Sequence, residues 1–286
     1  MRSVRRLVRA GLRRYGYDVV RLAALPASPQ PQASAESTAS NPPEEDHQAA
    51  SQHYEQITGL GDMDSDFPPI YEACRRFSMT SAQRMYALSR AVRYIEKAGI
   101  PGEIVECGVW RGGSMMVAAK TLLDLNSRHR TLRLFDTYEG LPKPDDNDVD
   151  VWGNDAADWW EQKRTSDQSS EWALARLDEV RANLAATGYP EDRMIYVKGM
   201  VEETIPAEAP EQIALLRLDT DWYASTRHEM EHLFPRLSRN GVLIIDDYGH
   251  FKGARKAVDE YIAAHDLPLM LVRIDYTGRL AIKITD

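Results

Sequence analysis

The clearest strand–turn–helix pattern in this chain is Ile104-Val105-Glu106-Cys107-Gly108-Val109-Trp110-Arg111-Gly112-Gly113-Ser114 and the residues after it. Residues 104–108 predict a short buried strand. The glycines that follow allow the backbone to turn sharply and to come close to a ligand, and apolar residues from Met115 to Leu122 predict a helix. The spacing differs from G-x-G-x-x-G, so the dinucleotide fingerprint is absent and a pyrophosphate ligand is disfavoured.

Strands and helices alternate on both sides of this segment. Further strands are predicted at 131–135, 194–197, 213–218 and 242–245, the last entered through an Asn240-Gly241 turn. Helices are predicted after Thr80 or Ser81, from Ser170 to about Thr187, at 225–237 and at 254–264. Residues 269–274 and 280–284 predict a pair of C-terminal strands. This order predicts an α/β fold, a mostly parallel sheet with helices on both faces and a C-terminal antiparallel hairpin at one edge. In such sheets ligands bind beyond the carboxyl ends of the strands.

Charge and cysteine content narrow the class of protein. The chain of 286 residues has 35 Lys and Arg against 44 Asp and Glu, a net charge of −9, which disfavours nucleic acid as a partner. Two cysteines cannot build a disulfide framework and fit a reducing compartment. No apolar run is long enough to span a membrane, and the first residues lack the apolar stretch of a secretory signal. We therefore expect a cytoplasmic location and no transmembrane segment.

The chain divides into segments of different composition. Residues 1–22 contain seven Arg and one acid and predict a basic N-terminal helix, which either packs on protein or touches an anionic surface such as a membrane. Residues 23–65, rich in Pro, Ser, Ala and Gln, predict a disordered linker. The globular domain is predicted at 66–286. Within it, the irregular stretch 137–168 predicts a lid loop, whose Trp152, Trp159 and Trp160 would close over the site and bind the acceptor.

The second predicted strand ends in an acid, Asp136. A carboxylate at this position suits the hydroxyls of a ribose. Together with a glycine turn that lacks a phosphate-binding pattern, it suits a nucleoside without phosphates, such as S-adenosylmethionine. The alternative is that the glycines and the acid are ordinary features of strand ends in a parallel sheet.

Two further strands run directly into carboxylates. Asp219 follows the 213–218 strand, and Asp246 and Asp247 follow the 242–245 strand. If the strands are neighbours, the three carboxylates converge, and their repulsion calls for a compensating charge. Oxygen-only ligands select Mg²⁺ or Ca²⁺. The alternative is that these acids cap the helices that follow.

Two other motifs indicate different chemistry. His228-Glu229-Met230-Glu231-His232 matches the H-E-x-x-H pattern of zinc proteases, but Pro235 ends the helix soon afterwards and no third ligand has a recognisable spacing, so a solvated helix face is the better interpretation. Asp219-Thr220-Asp221 matches the D-x-D pattern of metal-dependent glycosyltransferases, which keeps that enzyme class open.

Several segments together resemble the macrocin-type (TylF-like) O-methyltransferases, which use S-adenosylmethionine and Mg²⁺ to methylate sugars of natural products. The resemblance covers residues 66–286, and the segments that carry it are Met79-Thr80-Ser81, Val105 to Ser114, Asp136-Thr137-Tyr138-Glu139-Gly140-Leu141-Pro142, Leu218 to Thr226, and Asp246-Asp247-Tyr248-Gly249. It implies a Rossmann-like class I methyltransferase fold.

The resemblance also implies site roles. Glu106, Gly108, Ser114 and Asp136 fall on cofactor-binding positions. Asp219, Asp246 and Asp247 fall on the metal ligands, and Asp219 also falls on the proposed general base.

The resemblance implies a sugar or glycoside as the acceptor but does not identify it. Members of the family often self-associate, which implies a homo-oligomer. His250 could be a second base, an acceptor contact or an ordinary loop residue. A homologue that binds the cofactor without turnover is a non-enzymatic alternative.

Overall fold

The computed structural model describes residues 60–285. The predicted basic helix at 1–22 and the predicted linker up to residue 59 lie outside these residues. Leu60, in the predicted linker, is buried in the core, where an apolar side chain gains by leaving water. No helix between residues 60 and 285 is both long and apolar enough to cross a membrane.

The sheet confirms the predicted topology. Its strands are β1 (Glu103–Cys107), β2 (Leu132–Asp136), β3 (Met194–Lys198), β4 (Ile213–Leu218), β5 (Leu237–Ile245), β6 (Val272–Arg273) and β7 (Arg279–Ile282). They form one seven-stranded sheet in the order β3-β2-β1-β4-β5-β7-β6. β1 to β5 are parallel, and the β6–β7 hairpin is antiparallel. The strand order reverses between β1 and β4, the position where open α/β sheets bind ligands.

Helices cover the sheet on both faces. They are α1 (Phe67–Cys74), α2 (Ala82–Lys97), α3 (Gly113–Asp124), α4 (Ala156–Lys163), α5 (Leu177–Ala185), α6 (Val201–Thr204), α7 (Tyr223–His232) and α8 (Lys252–Ala264). Short 3₁₀ turns lie at Arg75–Phe77, Glu191–Arg193 and Phe234–Arg236. The predicted Ser81 cap is confirmed, since its hydroxyl accepts the Arg84 N–H at 3.1 Å.

Alternate residues of each strand belong to different cores. In β1, Ile104 packs with α1, α2, α3 and α5 on one face, whereas Val105 and Cys107 pack with α7 and α8 on the other. The period of two in a strand sends successive side chains to opposite faces. Cys74 and Cys107 are free and buried.

Three local predictions are wrong. Ser170 does not begin the helix before Gly188, since α5 begins at Leu177 with Arg176 at its cap, and the Ser170 hydroxyl instead donates to the Leu141 carbonyl at 2.9 Å. Asn240-Gly241 lies inside β5. Asn240 has φ of 62°, a conformation that asparagine tolerates, so the pair marks an irregularity in the strand. The predicted irregular stretch 137–168 contains α4, capped by Asp155.

Candidate functional site

A cavity of about 300 Å³ lies at the carboxyl ends of β1, β2, β4 and β5. Its walls come from the loops that follow these strands, from the segment before α2 and from the turn of the β6–β7 hairpin. Gly108, Ser114, Asp136, Asp219, Asp246 and Asp247 all line it. The structure therefore brings both sets of predicted residues to one cavity, with the exception of Glu106.

The turn after β1 needs glycine at two positions. Gly108 has φ of +80°, and a Cβ there would lie 1.9 Å from the Asp219 carbonyl oxygen. A Cβ on Gly113 would lie 2.4 Å from the Phe77 carbonyl oxygen. Gly108 therefore needs both the left-handed freedom of glycine and its missing side chain, and Gly113 needs the missing side chain. The turn thus packs directly against the Asp219 backbone on one side and the segment before α2 on the other.

Asp136 holds this turn in place. Its Oδ2 accepts the backbone N–H groups of Val109 at 2.6 Å and Trp110 at 3.2 Å, and its Oδ1 accepts the N–H of Tyr138 at 2.6 Å. Burial raises the pKa of Asp136, and these hydrogen bonds oppose that rise. Hydrogen bonds from N–H groups favour the ionised carboxylate. Asp136 therefore orders the cavity wall as well as facing the cavity.

Glu106 is placed differently from the other predicted cofactor residues. Its side chain is buried and accepts from Arg217 Nη1 at 2.7 Å, and it is not among the described residues that line the cavity. Burial raises the pKa of Glu106 to about 7, against the opposing effect of the Arg217 charge. The contact with Arg217 supports a structural role, and its role toward the cofactor stays a prediction.

The three predicted metal ligands converge as expected. β4 and β5 are neighbours, and carboxylate oxygens of Asp219, Asp246 and Asp247 lie within 4.8 Å of one another. Asp247 Oδ2 is buried without a hydrogen-bond partner. Three convergent carboxylates with an unpaired oxygen form a donor set that suits a hard divalent cation. Burial and the neighbouring acids raise the pKa values of Asp219 and Asp247.

The alternative, that these acids cap helices, is wrong. α7 begins after Trp222 and α8 after Phe251, and neither helix has a side-chain cap hydrogen bond. The acids lie upstream of both caps, in the turns that enter the cavity.

Two arginines pair with the acids of this side, and the sequence had identified neither of them. Arg217 is 2% exposed and pairs with Glu106, with Asp219 at 2.5 Å and with Asp246. Arg84 on α2 pairs with Asp246 and with Asp275 at 3.0 Å. A lone charge inside the apolar run of β4 was the available signal for Arg217. Arg84 carried no comparable signal, because it lies at the start of a helix far away in the sequence.

Asp221 is a further carboxylate at the cavity. It lines the cavity beside Asp219, and its φ of 66° is unusual for a residue with a side chain. Burial and the neighbouring Asp219 and Asp246 raise its pKa. The D-x-D spacing was the signal that could have identified it.

The predicted lid contributes one exposed tryptophan near the cavity. Trp152 is 72% exposed, and its ring centroid lies 5.4 Å from that of His250, which lines the cavity. Trp160 is fully buried and donates to the Leu141 carbonyl, so its predicted role in acceptor binding is wrong. Trp159 is half-exposed on α4 and is not among the described cavity residues. This position stabilises Trp160 because its apolar ring leaves water and its N–H keeps a hydrogen-bond acceptor.

His250 lies at the cavity mouth between aromatic rings. Its ring contacts Phe251, Trp152 and Tyr276, and its Nδ1 lies 3.4 Å from the Tyr276 hydroxyl. Burial lowers the pKa of His250, which favours the neutral ring near pH 7. Its position fits an acceptor contact better than an ordinary loop residue.

The H-E-x-x-H motif is solvated only in part, since Glu231 is exposed and Glu229 is buried. Glu229 is fully buried and accepts from the Thr220 hydroxyl at 2.9 Å, and the His228 Nε2 lies 2.9 Å from the Ile205 carbonyl oxygen. The glutamate turns inward because α7 packs this side against the sheet. Within residues 60–285, Asp219, Asp246 and Asp247 form the one group of three or more potential ligands close enough to hold a metal ion, so the zinc interpretation of this motif is wrong.

Comparison with known proteins adds the enzyme class. The model of the macrocin O-methyltransferase (TylF) family matches residues 27–281, and so begins within the predicted linker. A mycinamicin III 3''-O-methyltransferase of Micromonospora griseorubida is 32% identical over 74% of this chain and 79% of its own length. A tetracenomycin-type 4'-O-methyltransferase of Streptomyces olivaceus, which acts on a dimethoxyrhamnosyl compound, is 32% identical over 70% of this chain and 73% of its own length.

Solved structures agree with the topology. The O-methyltransferase NovP is 27% identical, with a TM-score of 0.65 over 73% of this chain and 83% of that protein. The calicheamicin methyltransferase CalS11 is 18% identical, with a TM-score of 0.54 over 88% of this chain and 99% of that protein, and it supports the fold alone. The class I methyltransferase fold is thereby confirmed. Fold, cavity and sequence agree that this chain belongs to the macrocin O-methyltransferase (TylF) family and is an O-methyltransferase.

Proposed function

We propose that this enzyme transfers the methyl group of S-adenosylmethionine to a hydroxyl of a sugar or glycosylated natural product, with the help of Mg²⁺. The observation that carries the proposal is the convergence of Asp219, Asp246 and Asp247 on the cavity that the glycine turn and Asp136 also line. The Streptomyces olivaceus relative acts on a dimethoxyrhamnosyl compound, which supports this acceptor class. Family membership makes the D-x-D glycosyltransferase alternative wrong.

The donor would bind on the β1–β2 side of the cavity. Gly108 and Ser114 line the turn, and Asp136 faces the cavity from the end of β2, where a carboxylate can accept from ribose hydroxyls. The sulfonium already activates the methyl group, so most of the chain's contribution is to hold the donor and the acceptor oxygen in line.

The acidic side would hold the metal and the acceptor hydroxyl. Asp219, Asp246 and Asp247 would be the ligands, and bound Mg²⁺ would orient the hydroxyl and lower its pKa. Asp219 would accept the hydroxyl proton, while Arg217 fixes its orientation through the contact to Oδ2 at 2.5 Å. Asp221 lines the same wall and is the second carboxylate placed to accept that proton.

The acceptor would enter past the exposed side chains at the cavity mouth. Met79 and Tyr276 line the cavity and are each more than half exposed, and Trp152 lies against His250. The rings of Tyr276, Trp152 and His250 offer a stacking surface to a sugar or an apolar group. The predicted homo-oligomer and the cytoplasmic location stay predictions.

Methyl transfer to a panel of rhamnosides and other deoxysugar glycosides tests the proposal. We expect S-adenosylhomocysteine to form with at least one glycoside, and the rate to fall when EDTA removes divalent ions and to recover with Mg²⁺. Asp219→Asn and Asp221→Asn, assayed side by side at saturating Mg²⁺, identify the proton acceptor by which variant loses the rise of kcat with pH, because a lower kcat alone would also follow from the loss of a metal ligand. Donor binding without turnover on any glycoside would contradict the proposed acceptor class, and turnover insensitive to EDTA would contradict the metal.

A further inference from the structure

Glu229 is a buried acid that the proposed chemistry does not use. It lies on α7, is 0% exposed, and is not among the described residues that line the cavity. Its Oε2 is buried without a hydrogen-bond partner, although the buried Cys107 thiol interacts with the same carboxyl. An incompletely paired acid in a protein interior is costly, so a leucine or methionine would fill this space more favourably.

The other oxygen of Glu229 reaches the turn that carries the candidate catalytic acids. Its Oε1 accepts from the Thr220 hydroxyl at 2.9 Å. Thr220 lies between Asp219 and Asp221. A hydrogen bond to its side chain therefore restrains the backbone that carries both carboxylates. The contact comes from α7, whereas Arg217 and Arg84 reach the acids from β4 and α2.

This turn has a conformation that needs support. Asp221 has φ of 66°, which costs energy for a residue with a side chain and persists where the surroundings determine it. The Thr220 carbonyl accepts from the Trp222 N–H at 2.7 Å and from the Ser225 hydroxyl at 3.3 Å. The Glu229 contact adds a side-chain bond to these backbone contacts, and it comes from a rigid helix.

We propose that Glu229 is a positioning residue: it holds the Thr220 hydroxyl and thereby fixes the left-handed turn that places Asp219 and Asp221 in the cavity. The metal and proton-transfer consequences of this role rest on the proposed function. The local role, ordering the turn, does not. The proposal also accounts for the glutamate of the H-E-x-x-H motif without zinc.

Four single variants and one double variant separate this role from simple packing. Glu229→Gln keeps an acceptor for Thr220, whereas Glu229→Leu removes it at similar size. Thr220→Val removes the hydroxyl from the other side and also serves if Glu229→Leu does not fold. Glu231→Gln, on the same helix but exposed and paired with Arg227, is the matched control.

The first readout is hydrogen exchange at the Trp222 amide, which reports opening of the turn. We expect exchange at least tenfold faster in Glu229→Leu and Thr220→Val, and within twofold of wild type in Glu229→Gln and Glu231→Gln. The double variant Glu229→Leu/Thr220→Val should exchange no faster than the faster of its two single variants. Folded Glu229→Leu and Thr220→Val proteins with wild-type exchange would overturn the proposal, as would Glu229→Gln behaving like Glu229→Leu.

The second readout is Mg²⁺ affinity by calorimetry, with S-adenosylmethionine affinity as the internal reference. We expect Mg²⁺ binding at least fivefold weaker in Glu229→Leu and Thr220→Val, and donor binding within twofold of wild type. Wild-type protein that binds no divalent ion would contradict the proposed function, while hydrogen exchange would still decide the role of Glu229. Unchanged Mg²⁺ affinity in both variants would overturn the role toward the metal ligands.

Discussion

The two sides of the cavity satisfy their buried carboxylates in different ways. On the β1–β2 side, Asp136 receives three backbone N–H groups and needs no counter-charge. On the β4–β5 side, Asp219 and Asp246 receive guanidinium groups, and Asp247 keeps a buried oxygen without a partner. Backbone N–H groups stabilise an ionised carboxylate without a second charge. A cluster of carboxylates can still bind a cation.

This difference separates two functions that share one cavity. The donor side is a wall held by main-chain bonds, which suits a nucleoside without phosphates. On the acidic side, arginine charges offset the carboxylate charges. We therefore expect the order of this side to depend on pH, on bound metal and on each of the two arginines. Changes on one side should leave the properties of the other side intact.

The largest expected effect is on the acidic side. Asp247→Asn removes a proposed ligand without breaking an arginine pair, and we expect turnover to fall by at least about a hundredfold, since even groups that only orient metal ligands cost about 10–100-fold. Mg²⁺ affinity measured by calorimetry should fall with it, and S-adenosylmethionine affinity should not. Equal losses in donor and metal binding would show that the two sides are not separate.

Arg217 should matter most for stability. Arg217→Met leaves Glu106, Asp219 and Asp246 without their buried partner, and losing one member of a buried pair costs about 3–5 kcal/mol. Urea unfolding measures this loss, and Mg²⁺ should recover part of it by supplying positive charge. Arg227→Met, which breaks an exposed pair with Glu231, should change the free energy of unfolding by less than about 1 kcal/mol. Similar losses in the two variants would refute the assignment of Arg217 as the central counter-charge.

Asp136 should control the donor side alone. Asp136→Ala removes the carboxylate proposed to accept from the ribose, and losing a hydrogen bond to a charged group costs about 1.5–3 kcal/mol, which corresponds to about 10- to 150-fold weaker S-adenosylmethionine binding. Mg²⁺ affinity should stay within twofold of wild type. Donor binding unaffected by this change would place the donor elsewhere.

Glu106 contributes to the pH dependence of stability. Burial raises its pKa to about 7 from a usual value of 4.5, so the native state holds its proton more tightly than the unfolded state does. Its contribution to stability is therefore full below pH 4.5 and is lost as the pH rises toward 7. Glu106→Gln should flatten the fall of the unfolding free energy over that window. Glu103→Gln in the same strand is the control, and equal slopes in wild type and Glu106→Gln would rule out this origin.

The smallest effect concerns the acceptor. Trp152→Ala should raise the KM for the glycoside about three- to tenfold, consistent with about 0.5–1.5 kcal/mol for aromatic contacts, and leave kcat and donor binding unchanged. Trp159→Ala, in the same lid segment but not among the described cavity residues, should leave all three unchanged. A larger KM increase for Trp159→Ala would reverse the assignment of the acceptor contact.

The sequence was sufficient where the pattern is local or periodic. Apolar strands ending in Asp219 and Asp246 predicted which acids would meet, because parallel neighbours end at the same edge of a sheet. It was insufficient where a long-range contact decides the outcome. The pairing of Arg84 with Asp246 joins residues far apart in the chain, and the inward orientation of Glu229 depends on how α7 packs. Ser170 has the residue type of a helix cap, yet a tertiary bond to Leu141 uses its hydroxyl.

The most direct test of a cavity with a donor side and a metal side is calorimetric titration of wild type, Asp136→Ala and Asp247→Asn, first with S-adenosylmethionine and then with Mg²⁺. We expect wild type to bind both, Asp136→Ala to lose donor affinity only, and Asp247→Asn to lose Mg²⁺ only. A folded wild-type protein that binds no S-adenosylmethionine, or variants that lose both ligands together, would contradict the account.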